Sequence, residues 1–148
     1  MPAPDPMSIF HVESRLNNAA APILIRMTET TFHKVRHGSI PPISSGTDHI
    51  VVSQQIVNLL RGFSSDGSQF IPVSILDVIT GVRLAEHFEV LPHSEIKSSD
   101  IFIAPHRGTH IWHYAHRQLF VSDSLRAEIE CLKPGEFDFS QGFSNFAA

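Results

Sequence analysis

The pattern that most constrains this chain is a short apolar run that ends in serine and passes directly into an amphipathic stretch. It occurs twice. In the first copy, residues 49–53 form a β-branched run closing on Ser53. Ile56, Val57, Leu59 and Leu60 then fall on roughly one face of a helix over Gln54–Arg61. A serine at such a junction caps the helix, because its hydroxyl accepts a hydrogen bond from an orphan N–H of the first turn. Gly62 is placed to end the helix in a left-handed conformation. A loop at 64–68 and a strand over Gln69–Asp77 follow.

In the second copy, Gln118–Ser122 runs into a helix over Asp123–Cys131, with Leu125 and Ile129 four apart. Lys133, Pro134 and Gly135 break it, and Glu136–Phe139 alternates as a strand does. Val52 and Ser53 align with Val121 and Ser122, Ile56 with Leu125, Leu60 with Ile129, and Phe70 falls near Phe137. The expected architecture is α+β: an antiparallel sheet with two short helices, built on what reads as a repeated strand–helix–strand unit.

The rest of the chain is assigned around these units. Residues 1–7 hold three prolines and read as a disordered arm, residues 8–140 as one α+β domain, and residues 141–148 as a tail. Ser8–Val12 and Ile23–Met27 read as strands with a turn at Asn17–Pro22. His37–Asp48, with two glycines, two prolines and three serines, reads as a surface loop. Gln69–Asp77 and Leu84–Leu91 suit a hairpin with Thr80 and Gly81 near its turn, although Val82–Phe88 also fits a helix. Ile101–Ile103 and Thr109–Tyr114 are further strand candidates.

Composition excludes several function classes. A chain of 148 residues that is 42% hydrophobic and 18% charged is globular and long enough to bury its own core. Its one cysteine, Cys131, rules out an intrachain disulfide, and its place in the last turn of an amphipathic helix reads as packing. No secretory signal is visible and no apolar run approaches the roughly 18 residues of a membrane span. The expectation is a cytoplasmic protein without a membrane partner. Residues 1–75 carry five acids and five bases, so the formal charge of −4 lies entirely in residues 76–148. An acidic chain is a poor nucleic-acid binder, and an acidic half suits a basic protein partner.

No catalytic motif is present. G-x-S-x-G, HExxH and the phosphate-binding glycine loops are all missing, and Ser53 and Ser122 are explained as caps. No cofactor is expected. Ten histidines are the loudest compositional feature, densest at His106, His110, His113 and His116. Imidazole is a good transition-metal ligand, so His110, His113 and His116 form a candidate metal site. Their three-residue spacing works against it on a strand, where successive members point to opposite faces. For a protein partner the candidates are the acidic Glu128, Glu130, Glu136 and Asp138, and the aromatic Trp112 and Tyr114 beside Arg117, which have the composition of an interface hot spot.

Residues 49–60, followed by Gln69–Val73 and His87–Leu91, resemble a bacterial immunity-protein family found beside polymorphic toxin genes, immunity protein family eleven. Residues 118–129 with Phe137 and Phe139 resemble its closing element, with Gly135 ahead of the final phenylalanines. The resemblance spans about residues 49–91 and 117–140. It implies a cytosolic α+β protein that binds and blocks a cognate toxin, often one delivered by contact-dependent or type VI secretion, and it carries no catalytic residue. Two other classes stand beside it: a histidine-rich metal-binding protein or enzyme built on residues 106–116, and a structural or adaptor domain of a secretion system.

Overall fold

The computed structural model describes residues 9–15, 24–46, 48–63, 67–96 and 109–141. Over them the chain forms an α+β fold of two sheets and two helices. The strands are β1 (Ile9–Ser14), β2 (Leu24–Arg26), β3 (Thr31–Lys34), β4 (Ile43–Ser45), β5 (Ile50–Ser53), β6 (Gln69–Asp77), β7 (Arg83–Leu91), β8 (Ile111–Tyr114), β9 (Gln118–Ser122) and β10 (Phe137–Gln141). Helix α1 (Gln54–Phe63) follows β5 and α2 (Asp123–Leu132) follows β9. One sheet has the order β10-β1-β9-β8, the other β2-β3-β6-β7-β5-β4.

Both helices start where the serines place them. The Ser122 hydroxyl accepts from the Leu125 N–H at 3.3 Å, and that of Ser53 from the Ile56 N–H at 3.5 Å. Each helix turns its apolar stripe inward, Ile56, Val57 and Leu60 from α1 and Leu125 and Ile129 from α2. These meet Val12, Ile111, Leu119 and Val121 of the first sheet and Ile43, Ile50, Val52 and Val90 of the second in one core. Full burial of each such side chain contributes about 1.5–3 kcal/mol, so this shared core is what joins the two sheets.

The connections around the helices are alike. Helix α1 joins β5 to β6 with β7 lying between them, and α2 joins β9 to β10 with β1 between them. The likeness stops at the outer neighbours. Strand β6 takes β3 as a parallel partner, whereas β10 is an edge strand.

Several expectations need correction. The single antiparallel sheet is two sheets, and β3–β6 is a parallel pair. Strand β3 has no apolar run to announce it, only the sequence Thr-Phe-His-Lys. The stretch 37–48 is not wholly a surface loop: β4 lies in it with Ile43 and Ser44 buried, and the Pro42 carbonyl accepts from Ser53 N–H at 3.0 Å. Gly62 does not terminate α1, which continues to Phe63 so that this ring packs on the core. The hairpin reading of residues 69–91 holds over the helical alternative, since β7 pairs along β6 and Gly81 takes the turn at φ 76°. Gln141 belongs to β10 and not to a tail. The arm at 1–7, the turn at 17–22, the strand at 101–103 and the remainder of the tail lie outside the described residues.

Candidate functional site

Alternation along the six-stranded sheet separates its two faces. Ile50, Val52 and Val90 point into the helix-bearing core, whereas Val51, Val73, Ile75, Phe32 and Leu24 form a second cluster on the opposite side. Among the described residues, no helix side chain belongs to that second cluster. It is flanked by two clefts, each built around an ion pair.

The larger cleft, about 620 Å³, is lined by Arg26, Glu29, Asp48, Glu89 and His116 among others. Arg26 is its hub. Its Nε donates to Asp48 Oδ2 at 3.1 Å, Nη1 to the Glu29 carbonyl at 2.9 Å, and Nη2 to the Asp48 carbonyl at 3.3 Å. Nη2 also donates to Glu89 Oε2, and the guanidinium carbon lies 4.8 Å from the centre of the Phe32 ring. The hydrogen bond to Glu89 is the main cause that raises the Arg26 pKa. Asp48 also accepts from His49 Nδ1 at 2.8 Å. That bond holds the Asp48 carboxyl below its usual range, with burial opposing and Arg26 assisting. The buried His49 ring lies where a Cβ on Gly46 would be, 2.2 Å from its nearest carbon, so only glycine fits at position 46.

One wall of this cleft is the β8–β9 turn. Ala115 and His116 both have φ 55°, a left-handed conformation costing roughly 1–2 kcal/mol per residue without glycine. The turn is closed by Arg117 N–H to the Tyr114 carbonyl at 3.2 Å. The His116 ring stacks on His113 at 3.9 Å, and the His116 backbone N–H donates to His113 Nδ1 at 3.1 Å.

The smaller cleft, about 370 Å³, is lined by Lys34, Asp77 and His87 with Ile40 and Leu84. Lys34 Nζ donates to Asp77 Oδ2 at 3.1 Å. A β-bulge shapes this site. Val73 pairs with His87 but Ile75 pairs with Leu84, so Ala85 and Glu86 together oppose Ser74. Glu86 takes φ 64° to absorb the extra residue. As a result Leu84 and His87, three apart in sequence, line the same cavity.

The residues singled out by sequence fall elsewhere, apart from His116. His110 sits before β8 with Nδ1 2.7 Å from the Ser122 hydroxyl. His113 is buried with Nδ1 already accepting from the His116 backbone N–H, and its ring is stacked face to face on that of His116. The three imidazoles therefore do not converge on one ion, and no group of three or more His, Cys, Asp or Glu suited to a metal occurs among the described residues. The expected contact role of Trp112 is corrected: at 6% exposure it packs with Ile9, Ile96 and Phe120, so it belongs to a core and not to a contact surface. Tyr114 is half-buried against that cluster. Of the acidic candidates, Glu128 is exposed on α2 and Glu130 accepts from the Gly135 N–H at 3.1 Å. Glu136 lies 4.0 Å from the Lys133 ammonium at the end of α2, and Asp138 pairs with Arg15 at 3.0 Å. Cys131 is exposed, so its expected packing role is also corrected.

Sequence reasoning missed Arg26, Asp48 and Glu89, and also Lys34, Asp77 and His87. The one available signal was charge inside strand runs, such as Glu89 between Phe88 and Val90. No helix among the described residues is long and apolar enough to cross a membrane. No protein-family model, curated protein or solved structure matches the chain.

Proposed function

We propose that this protein is an immunity protein that binds a cognate bacterial toxin in the cytoplasm and neutralises it by stoichiometric contact, without turnover. The observation that carries this reading is the charge of the larger cleft. Three acidic residues, Glu29, Asp48 and Glu89, line the cleft against the single guanidinium of Arg26, which is bonded to the Asp48 and Glu89 carboxylates and to the main-chain carbonyls of Glu29 and Asp48. A partly desolvated cleft with excess negative charge attracts and orients a basic protein surface. The segments that resemble the immunity family, residues 49–91 and 117–140, build both helices and most of the shared core, so they supply the frame that holds this cleft.

The test is capture of the tagged chain's partner from its own host, expression of that partner alone, and neutralisation in co-expression. Glu29→Lys, at an exposed position on the cleft rim, should weaken binding of the toxic partner at least tenfold, about 1.4 kcal/mol. A partner that is harmless when expressed alone sinks the immunity reading. Undiminished binding by Glu29→Lys removes the cleft from the contact surface.

A further inference from the structure

The β8–β9 turn joins two left-handed residues to a titratable acceptor. Its central residues, Ala115 and His116, both take φ 55°. Positive φ at both central positions is the habit of a type I′ hairpin turn, which glycine and asparagine enter freely and alanine and histidine do not. Local preference therefore works against this turn, and other contacts must hold it. Besides the turn's own bond from Arg117 N–H to the Tyr114 carbonyl, two are made by His113. Its Nδ1 accepts from the His116 backbone N–H at 3.1 Å, and its ring stacks on that of His116 at 3.9 Å. Backbone strain persists only where the surroundings enforce it, and it collects at switch regions.

The accepting nitrogen makes this contact sensitive to protons. His113 Nδ1 accepts only while it carries no hydrogen, so the neutral ring holds its hydrogen on Nε2. A second proton can enter only at Nδ1, where it meets the His116 N–H donor against donor and charges a ring that lies against another imidazole. Burial lowers the His113 pKa from 6.5, the His116 charge adds to this, and Glu95 opposes it. Glu95 lies on the segment that bridges to β8, and the β9 residue opposite His113 is the uncharged Leu119. His116 itself shares the larger cleft with Arg26, Glu29, Asp48 and Glu89. The ring is therefore neutral near pH 7, where the bond is made, and the bond is lost as pH falls through a value below 6.5.

We infer that the β8–β9 turn is a pH-sensitive latch on the larger cleft: neutral His113 holds the turn closed through the His116 N–H, and protonation of His113 at Nδ1 releases it. Ala115 and His116 are lining residues, so release takes away one wall of the cleft. The consequence for a bound partner rests on the reading of the cleft as a contact surface. The latch is a property of the chain alone and is tested without a partner, so either idea can fail without the other.

The experiment is an NMR titration of the full chain from pH 7.5 to pH 5. The ring nitrogens of His113 report its tautomer and charge. Hydrogen exchange of the Ala115, His116 and Arg117 amides, corrected for the intrinsic pH dependence of exchange, reports the turn. The His113 ring should carry its hydrogen on Nε2 at pH 7.5. Protection of the His116 amide should fall at least tenfold, at a midpoint below pH 6.5 that coincides with the His113 titration, while the amides of β6 and β7 keep theirs. His113→Asn, which retains an acceptor and cannot titrate, should abolish the transition. His116→Asn keeps the N–H, suits positive φ and removes the neighbouring charge, so it should move the midpoint to higher pH; it decides the matter if His113→Asn does not fold. Any one of five results overturns the latch: a hydrogen on Nδ1 at pH 7.5, turn amides unchanged through the His113 titration, a transition that persists in His113→Asn, an unmoved midpoint in His116→Asn, or protection lost from both sheets at once.

Discussion

The Lys34 ammonium donates to the Asp77 carboxylate at 3.1 Å across β3 and β6, the one parallel pair among the described strands. Burial raises the Asp77 pKa, but Lys34 and the N–H groups of Thr80 and Ile79 together outweigh it, and the carboxyl is held below its ordinary value. The unfolded chain therefore takes up this proton first as pH falls. Stability from Asp77 is complete above the unfolded carboxyl value, about 3.9, and is lost as pH drops through the folded one. Urea midpoints measured between pH 5 and pH 3 should fall, and Asp77→Asn should flatten that fall. An identical slope in the variant would remove Asp77 as its source.

A second pH dependence lies higher. His11, His87 and His113 all have pKa values lowered from 6.5, in each case chiefly by burial; the His116 charge adds to this at His113, while Glu95 opposes it. Below pH 6.5 the unfolded state binds protons that the folded state resists, so stability is full above that value and declines toward acid. The urea midpoint should drop between pH 7.5 and pH 5.5. His113→Asn, which keeps an acceptor for the His116 N–H but cannot titrate, should remove part of the drop.

Arg26→Met should destabilise the fold by about 3 kcal/mol, the low end for breaking a buried pair, because the Arg26 side chain is 25% exposed while Glu89 is 7% exposed. The cost comes from leaving Glu89 buried without its cation. Arg26→Lys should recover only part of the loss, since an ammonium cannot reproduce the fork that reaches Asp48, Glu29 and Glu89 at once. Full recovery in denaturant unfolding would show that charge alone matters there.

Ala115→Gly should stabilise the protein by about 1 kcal/mol, because φ 55° is strained for alanine and free for glycine. Ala115 is exposed, so little packing is lost with its methyl group. Calorimetric unfolding should show a higher Tm in the variant. A lower Tm would mean that the added freedom of the unfolded chain outweighs the relief of strain.

What the sequence determined by itself is local. Helix α1 was legible from Ser53 and the spacing of Ile56, Val57 and Leu60, and α2 from Ser122, Leu125 and Ile129, because capping and a period of 3.6 act within a few residues. The β6–β7 hairpin was legible for the same reason, with Gly81 at its turn. The tertiary structure decided the rest. Arg26 and Glu89 are 63 positions apart, and Lys34 and Asp77 are 43 apart; each pair meets only because strand order sets β2, β3, β6 and β7 side by side in one sheet. Trp112 illustrates the same limit, since its type suits a contact surface and only the packing of Ile9, Ile96 and Phe120 against it makes it core. Local propensity is set by neighbours along the chain, whereas a buried charge is tolerable only where a distant partner arrives, and that is a property of topology.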